Sequence, residues 1–419
     1  MRKTDIASIG DLAGEALAAG GTLVKTMHEG IAGRPFGILG PFAAPVRITH
    51  DAVSRRVYSG VRGSLRAAAR GGAGLVATRA PADGVALRST PHGSFAVGAL
   101  SGMYGDHIAG RGSELATELG LRRRGADVPP TGEGLAAAYP DATSRIVVFV
   151  HGLCGDEQCW RLFPLRGRAG RPTYGRRLQD ELSFTPLYVR YNTGLHISDN
   201  GRALARLLDD VVASWATGVE EIVLIGHSMG GLVARSACHY GEVDGLRWTD
   251  SVRHVFCLGS PHLGADLEKG TNALSYALAR LPETRALATF LNARSVGIKD
   301  LRYGSCAEED WCDCDPDEFL RDRCVETPFL PDANYYFIGA TLSPGPLGSA
   351  LGDLLVRMPS ASGRGNGRGR RIPFEVDNGH ELAGRTHFDL LNHPAVYEQI
   401  RTWLTRPRAR RALPMAAAG

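Results

Sequence analysis

Two kinds of hydrophobic pattern divide the chain near residue 140. After this point, short continuous apolar runs alternate with stretches whose apolar residues repeat at helical spacing, and such runs are typical of strands buried on both faces. The predicted strands cover residues 146–150, 186–190, 221–225, 254–258 and 334–338, and the predicted helices between and after them cover 201–215, 230–239 and 394–404. Strands that alternate with helices predict an α/β fold with a mostly parallel sheet.

The earlier part of the chain has apolar residues at helical spacing and no strand-like run. Three helices are predicted there, around residues 6–17, 53–65 and 95–108, with glycine and proline stretches at 33–45 and 80–93 between them. We therefore expect an N-terminal helical appendage over residues 1–125 and a catalytic domain over residues 140–405.

A long interval separates two of the predicted strands. Residues 259–333 exceed a simple crossover, and they contain helical patterns at 267–281 and 284–291. We expect this interval to be a lid-like insertion that covers the active site together with the appendage. The basic, glycine-rich run 363–371 is predicted to be a mobile loop, and residues 406–419 a flexible tail.

The second predicted helix is strongly basic. Its arginines are Arg55, Arg56, Arg62, Arg66 and Arg70. A basic amphipathic helix can lie on an anionic membrane, which would make the appendage a peripheral membrane contact. A solvated outer face on a helix that packs against the main domain explains the same pattern, because amphipathicity is usual for surface helices. The sequence leaves both interpretations open.

The residues that carry chemistry begin with Gly226-His-Ser-Met-Gly230. This pentapeptide directly follows the predicted strand 221–225 and directly precedes an apolar helix. A G-x-S-x-G sequence in that context predicts a nucleophile elbow, a tight turn that exposes the serine hydroxyl above the sheet. Gly226 and Gly230 are expected to support the turn, since strand and helix approach too closely there for side chains. Ser228 is therefore the predicted nucleophile.

A serine hydroxyl needs a base within hydrogen-bond reach. In this arrangement the partners follow in the order serine, acid, histidine, so the base should lie near the C-terminus. His387 directly precedes the last helix, where its loop can reach back to Ser228, and we predict it as the base. His380 and His393 are the alternatives; His393 precedes a proline and is typical of a helix start.

The third member must be a carboxylate that orients the imidazole and stabilises its cation. Asp353 follows the strand 334–338 after a turn-rich stretch, and we predict it as the acid. Asp377 is the alternative, although it lies too near His387 in sequence to come from a separate strand end. A role as a helix or turn cap is the structural alternative for Asp353.

An oxyanion hole requires two backbone N–H groups. One should belong to the residue after the nucleophile, Met229, and the other to a loop after an earlier strand. Because Val150 ends a buried strand, the amide of Leu153 is the second candidate, with Gly152 permitting the turn. His151 is expected to support this loop by hydrogen bonds rather than to transfer protons.

Taken together, these motifs resemble a known family. They are Val150-His-Gly-Leu153, Gly226-His-Ser-Met-Gly-Gly231, Gly259-Ser-Pro-His262, Gly352-Asp-Leu-Leu-Val356 with Ser360-Ala361, and His387. In this order they resemble bacterial lipases and GPI inositol-deacylase-like serine hydrolases of the α/β-hydrolase superfamily, over residues 140 to 405. The resemblance implies an α/β-hydrolase fold, the triad of Ser228, Asp353 and His387, and oxyanion donors at Leu153 and Met229. The family pattern commonly has glycine where this chain has Leu354.

Composition and charge narrow the partners. The 419 residues carry a formal net charge of +4 and are 43% hydrophobic, which suits a folded protein and not a nucleic-acid binder. No signal peptide or membrane-spanning run is visible, so we expect a cytoplasmic location. Eight cysteines are present, and four of them crowd residues 306–324. Thiols, disulfides and metal ligands all remain open for these four, and no metal is assigned.

The sequence as a whole predicts a serine esterase or lipase that cleaves carboxylic esters through an acyl-enzyme on Ser228, without a cofactor. The expected partner is a small-molecule or lipid ester. An acyltransferase or a thioesterase could use the same triad. A protein from another class, which keeps the fold but binds a membrane or a partner without catalysis, is disfavoured by the intact set of catalytic residue types. Epoxide hydrolysis and dehalogenation are excluded because they require a carboxylate at the elbow.

Overall fold

The structure is a computed structural model. It describes residues 1–39, 43–81, 84, 86–161, 172–281, 284–345, 352–353, 355–365 and 370–406.

A sheet of eight strands forms the centre of the molecule. In chain order the strands are β1 (Gly120–Arg123), β2 (Ala126–Val128), β3 (Arg145–Val150), β4 (Thr185–Arg190), β5 (Glu221–His227), β6 (Val252–Leu258), β7 (Asn334–Thr341) and β8 (Gly379–Ala383). Their spatial order is β2-β1-β4-β3-β5-β6-β7-β8. β1 pairs antiparallel with β2 and β4, and every other pair is parallel.

The described residues contain twelve α-helices, some of which cover the two faces of this sheet. They are α1 (Lys3–Leu39), α2 (Ala44–Thr78), α3 (Pro91–Gly110), α4 (Gly132–Ala138), α5 (Tyr174–Leu182), α6 (Ile197–Ser214), α7 (Met229–Val243), α8 (Asp266–Ala279), α9 (Arg285–Asn292), α10 (Val296–Asp300), α11 (Met358–Ala361) and α12 (Pro394–Leu404). Short 3₁₀ turns occupy Leu87–Ser89, Glu157–Arg161, Arg247–Ser251, Glu308–Asp310, Val376–Asn378 and His387–Leu391.

Alternate residues of each central strand enter two separate hydrophobic cores. Ile146 and Val148 of β3 pack on the face covered by α6 and α7, whereas Val147 and Phe149 pack on the face covered by α5 and α12. All four side chains are fully buried. Burial on both faces explains why these strands read as continuous apolar runs. The expected α/β-hydrolase fold, with its mostly parallel sheet, is therefore confirmed.

The structure corrects two expectations for the N-terminal part. Strand β1 already belongs to the sheet, so the appendage does not extend to residue 125, and the expected absence of strands before that point is wrong. Helix α1 also continues through the predicted break at residue 33. α1 and α2 form an antiparallel helical hairpin, in which Gly10 meets Ala73 and Gly21 meets Arg62.

Three further sequence expectations concern loops and membranes. The run 363–371 lies partly outside the described residues, and of the tail 406–419 only Arg406 is described. Within the described ranges, none of the eight cysteines forms a disulfide. No helix in the part of the chain that the structure covers has the length and apolar character needed to cross a bilayer.

Candidate active site

Ser228 occupies the sharp turn between β5 and α7. Its φ angle is +55°, in a region that non-glycine residues rarely adopt, and its amide donates to the carbonyl of Leu258 at 2.8 Å. A Cβ atom on Gly226 would overlap the backbone of α7, and one on Gly230 would overlap the backbone at the end of β3, because these segments touch at the turn. The turn thus has the strained backbone and the small flanking residues of a nucleophile elbow.

Asp353 and His387 lie together although 34 positions separate them. The Nδ1 atom of His387 lies 2.6 Å from Oδ2 of Asp353, and both side chains are at most 2% exposed. The other carboxylate oxygen, Oδ1, accepts the amides of Leu355 and Val356 at 3.0 and 2.8 Å. A carboxylate held in this way fixes the imidazole with its proton on Nδ1, which leaves the Nε2 lone pair as an acceptor.

Ser228 and His387 line one cavity of about 460 Å³. The buried Nε2 atom of His387 has no hydrogen-bond partner among the described residues, so it is available to a hydroxyl proton. Gly259, at the end of β6, has a φ of +62°, and a Cβ there would lie 2.9 Å from the imidazole Cε1. A glycine at this position therefore leaves the space that the His387 ring fills.

The loop after β3 approaches the elbow closely. A Cβ atom on Gly152 would lie 2.9 Å from the Cβ of Ser228, so only glycine permits this approach. Leu153 follows in the turn and lines the cavity, and Met229 is the first residue of α7, where helical amides lack intrahelical partners. Both proposed oxyanion amides therefore belong to segments that border Ser228.

His151 contacts the loop after β3 from the interior of the protein. It is completely buried, its Nδ1 lies 3.0 Å from the carbonyl oxygen of Gly152, and its ring stacks on Tyr191 at 4.3 Å. The Tyr191 hydroxyl donates to the backbone carbonyl of His151 at 2.7 Å. His151 does not line the cavity, and its contacts join the loop after β3 to Tyr191.

Helix α3 packs on the same loop, which the sequence did not reveal. Gly98 and Gly102 pack directly on Gly155 and Cys154, and Ser94 donates to the carboxylate of Asp156. The separation of about 60 positions hides these contacts from any local pattern. Of the N-terminal helices, α3 alone supplies a described lining residue, Phe95.

A buried ion pair holds the later part of the loop after β3. Arg190, at the end of β4, holds both carboxylate oxygens of Glu157 at 2.7 Å and also donates to Ser94 at 3.0 Å. Bidentate pairing of this kind gives a defined geometry as well as charge compensation. The loop that carries Leu153 is thus fixed both to the sheet and to α3.

The alternatives that the sequence left open lie elsewhere. His380 is on β8, and His393 caps α12 by accepting the amide of Ala395 at 3.2 Å. Asp377 is exposed in a 3₁₀ turn near the sheet edge. Leu354, the departure from the family pattern, lies outside the described residues. Among the candidates, only Asp353 and His387 share a hydrogen bond that joins an acid to the cavity.

Part of the chain matches a known protein family. Residues 141–315 match the PGAP1-like alpha/beta domain. This PGAP1-like region contains the loop with Leu153 and the elbow with Ser228, and it ends before Asp353 and His387. The fold brings those two residues to the region from the C-terminal part of the chain. The match and the sheet topology both agree with an α/β-hydrolase fold.

Solved structures similar to this chain include several bacterial lipases. The mature Bacillus licheniformis lipase BlEst2 shares 19% identity and has a TM-score of 0.40, with 62% of this chain and 92% of that chain covered. Its propeptide form shares 18% identity with a TM-score of 0.43, covering 64% and 52%. The Staphylococcus hyicus lipase shares 15% identity with a TM-score of 0.33, covering 62% and 95%. At these identities, the names of those proteins do not identify the substrate of the PGAP1-like region.

Three histidines around the PGAP1-like elbow are buried in neutral form. Burial lowers the pKa of His151 and of His262, and burial together with the neighbouring His387 lowers the pKa of His227 to about 3. In the unfolded chain each would titrate near ~6.5. Between the folded and unfolded pKa values, the unfolded state binds more protons than the folded state. The free energy of unfolding therefore decreases as the pH falls below the pKa of histidine in the unfolded chain.

We therefore expect the melting temperature to fall steadily between pH 7 and pH 5. His227, whose folded pKa of about 3 lies below this range, should contribute about 2 kcal/mol to this loss, and His227→Gln should remove that contribution and flatten the slope. Thermal melts at a series of pH values measure both slopes. His92→Gln, which changes an exposed histidine of α3, is the control and should keep the wild-type slope. A melting temperature independent of pH over this range would contradict neutral burial.

Proposed function

We propose that this protein is a carboxylic ester hydrolase that acts on esters of apolar acyl chains through an acyl-enzyme on Ser228. The supporting observation is the cavity itself, in which Ser228 and a His387 held by Asp353 face a largely apolar space. Its apolar lining residues are Phe95, Leu153, Pro261, Ala265, Leu267, Leu301, Leu355, Val356, Phe388 and Leu391. A chamber of about 460 Å³ falls within the usual range for small-molecule sites.

The proposed reaction has two halves. The hydroxyl oxygen of Ser228 attacks the acyl carbonyl while Nε2 of His387 takes its proton, and the amides of Leu153 and Met229 stabilise the oxyanion. His387 then returns the proton to the departing alcohol, which leaves the acyl group on Ser228. Water attacks this acyl-enzyme with His387 again as base, so the acid is released and the serine is restored. Asp353 stabilises the imidazolium in both halves without taking the proton.

The acyl specificity has a direct test in a series of nitrophenyl esters from acetate to long acyl chains. Each additional methylene buried in the cavity should raise kcat/KM by about fourfold, which corresponds to ~0.8 kcal/mol, until the cavity is full. Leu267, on α8, lies at the rim with 68% of its surface exposed. Leu267→Ser should therefore lower kcat/KM severalfold on long chains while leaving acetate cleavage unchanged.

Leu274 offers a matched control on the same helix. It is also exposed but does not line the cavity, so Leu274→Ser should keep the wild-type chain-length profile. A profile that is flat, or highest for acetate, would contradict the assignment of an apolar acyl chain. Transfer of the acyl group to added alcohols in preference to water would indicate an acyltransferase instead of a hydrolase.

A further inference from the structure

The hairpin of α1 and α2 exposes large aliphatic side chains along both helices. Most of them form one stripe on each helix, Ile9, Leu17, Val24 and Ile31 on α1 and Val46, Val53, Val57, Val61 and Leu75 on α2, and several of these are more than half exposed; Ile48 and Val76 of α2 are exposed outside the stripe. In α1 they repeat every seven or eight residues, and in α2 mostly every four or seven, which aligns them as one stripe on each helix. Isolated exposed aliphatics are common on protein surfaces, whereas two parallel stripes indicate an interaction surface.

Both stripes open on the same side of the hairpin. In α1, Ile9 and Leu17 each come one position before a residue that meets α2 or is buried, Gly10 and Ala18. In α2, Val61 likewise comes one position before Arg62, which meets α1. One position is about 100° of helix rotation. In each helix the stripe lies one residue before the positions that contact the other helix. Two antiparallel helices are related by a two-fold axis perpendicular to their common plane, which leaves equal offsets on the same side of that plane. The two stripes therefore form one continuous apolar face.

The body of the protein lies on the opposite side of the hairpin. The α1 residues that border α9 are Glu15, Ala19, Thr22, Leu23 and Thr26, and they share a surface cavity with Phe290. Several of these come one position after a residue that faces α2, so they point away from the stripes. An ion pair between Glu15 and Arg111 fastens the same side to α3. The apolar face is therefore directed outward.

The charge of the hairpin indicates what this face would contact. The two helices contain nine basic and five acidic residues, so their net charge of +4 equals that of the whole chain. Arg47 and Arg56 flank the α2 stripe on its two sides, each about 80–100° of rotation from it. A second copy of the hairpin would bring like charges together, whereas an anionic lipid surface attracts them.

We propose that the outward apolar face of the α1–α2 hairpin docks on an anionic lipid surface. The exposed aliphatic side chains enter the interface, and the flanking arginines meet the headgroups. This contact is separate from the chemistry at Ser228 and does not depend on the proposed hydrolase activity.

Vesicle co-sedimentation of the full chain tests this docking. All variants carry Ser228→Ala, so that no lipid is hydrolysed during the measurement. Binding to phosphatidylcholine vesicles should require added phosphatidylglycerol and should weaken with salt. Leu17→Glu with Val57→Glu should weaken binding about tenfold or more, since each large aliphatic side chain buried contributes roughly that factor. Arg47→Gln with Arg56→Gln should reduce the dependence on phosphatidylglycerol.

The control variant is Val376→Glu, which changes a valine that is 79% exposed on the catalytic core and should leave binding unchanged. Thermal melts of every variant show whether the fold is intact. Vesicle binding that survives Leu17→Glu with Val57→Glu would overturn the proposal, as would a complete absence of binding. A wild-type dimer that these substitutions dissociate, measured by light scattering, would assign the face to a second copy instead.

Discussion

Replacing Ser228 by alanine should lower kcat by about 10⁶-fold and leave the fold intact. The loss is large because Ser228 carries the acyl group, and burial raises the pKa of the two lining thiols, Cys154 and Cys159, which keeps them protonated. The serine hydroxyl makes no hydrogen bond that caps α7, so its removal should cost little stability. Steady-state hydrolysis of a nitrophenyl ester measures the activity, and a thermal melt measures the fold.

Ser260 provides a matched control for this substitution. It is also a buried serine, and it packs against Gly231 beside the elbow, but it does not line the cavity. Ser260→Ala should therefore stay within an order of magnitude of wild-type activity. If Ser228→Ala keeps more than a few per cent of the activity, Ser228 is not the nucleophile.

His387→Ala should be almost as damaging as Ser228→Ala, because the serine is not activated without its base. Combining the two substitutions should add little further loss, since nucleophile and base act as one unit. Asp353→Asn should lower kcat by about 10⁴-fold, because an amide favours the wrong imidazole tautomer. The measurement is kcat on one ester for all four variants.

The other two C-terminal histidines serve as controls for His387. His380→Ala changes a residue of β8, and His393→Ala removes the cap of α12. Both should retain most of the activity, although His393→Ala should lower the melting temperature, since lost helix caps typically cost ~1 kcal/mol. Equal damage from His380→Ala would leave the identity of the base open.

The central strands could be predicted because the local sequence of each one indicates burial. β3 to β7 are apolar on both faces, and the sequence placed all five. β1 could not be predicted, because its centre carries Arg122, which is only 3% exposed. The charge of Arg122 is compensated by Asp127 and by Glu157 from the loop after β3. Glu157 lies 35 positions away and leaves no local signal, so the strand resembles a polar loop.

Some features of the candidate site could likewise be predicted from the sequence, and others could not. The elbow is a contiguous motif between a strand and a helix, so Ser228 and Met229 could be identified directly. Predicting that Asp353 pairs with His387 required the chain order serine, acid, histidine that is known for such sites. In the structure, Oδ2 of Asp353 and Nδ1 of His387 lie 2.6 Å apart. The contact between α3 and the loop of Leu153 could not be predicted, because it depends on glycines whose role appears only where two distant segments touch.

Covalent labelling tests the central claim, a nucleophilic Ser228 activated by His387, most directly. Incubation of the full chain with a fluorophosphonate, followed by intact mass and peptide mapping, should show one adduct per chain on the peptide that contains Ser228. Ser228→Ala should give no adduct, and His387→Ala should react far more slowly, because the probe requires an activated serine. An unlabelled wild-type protein, or an adduct on a different serine, would contradict the account.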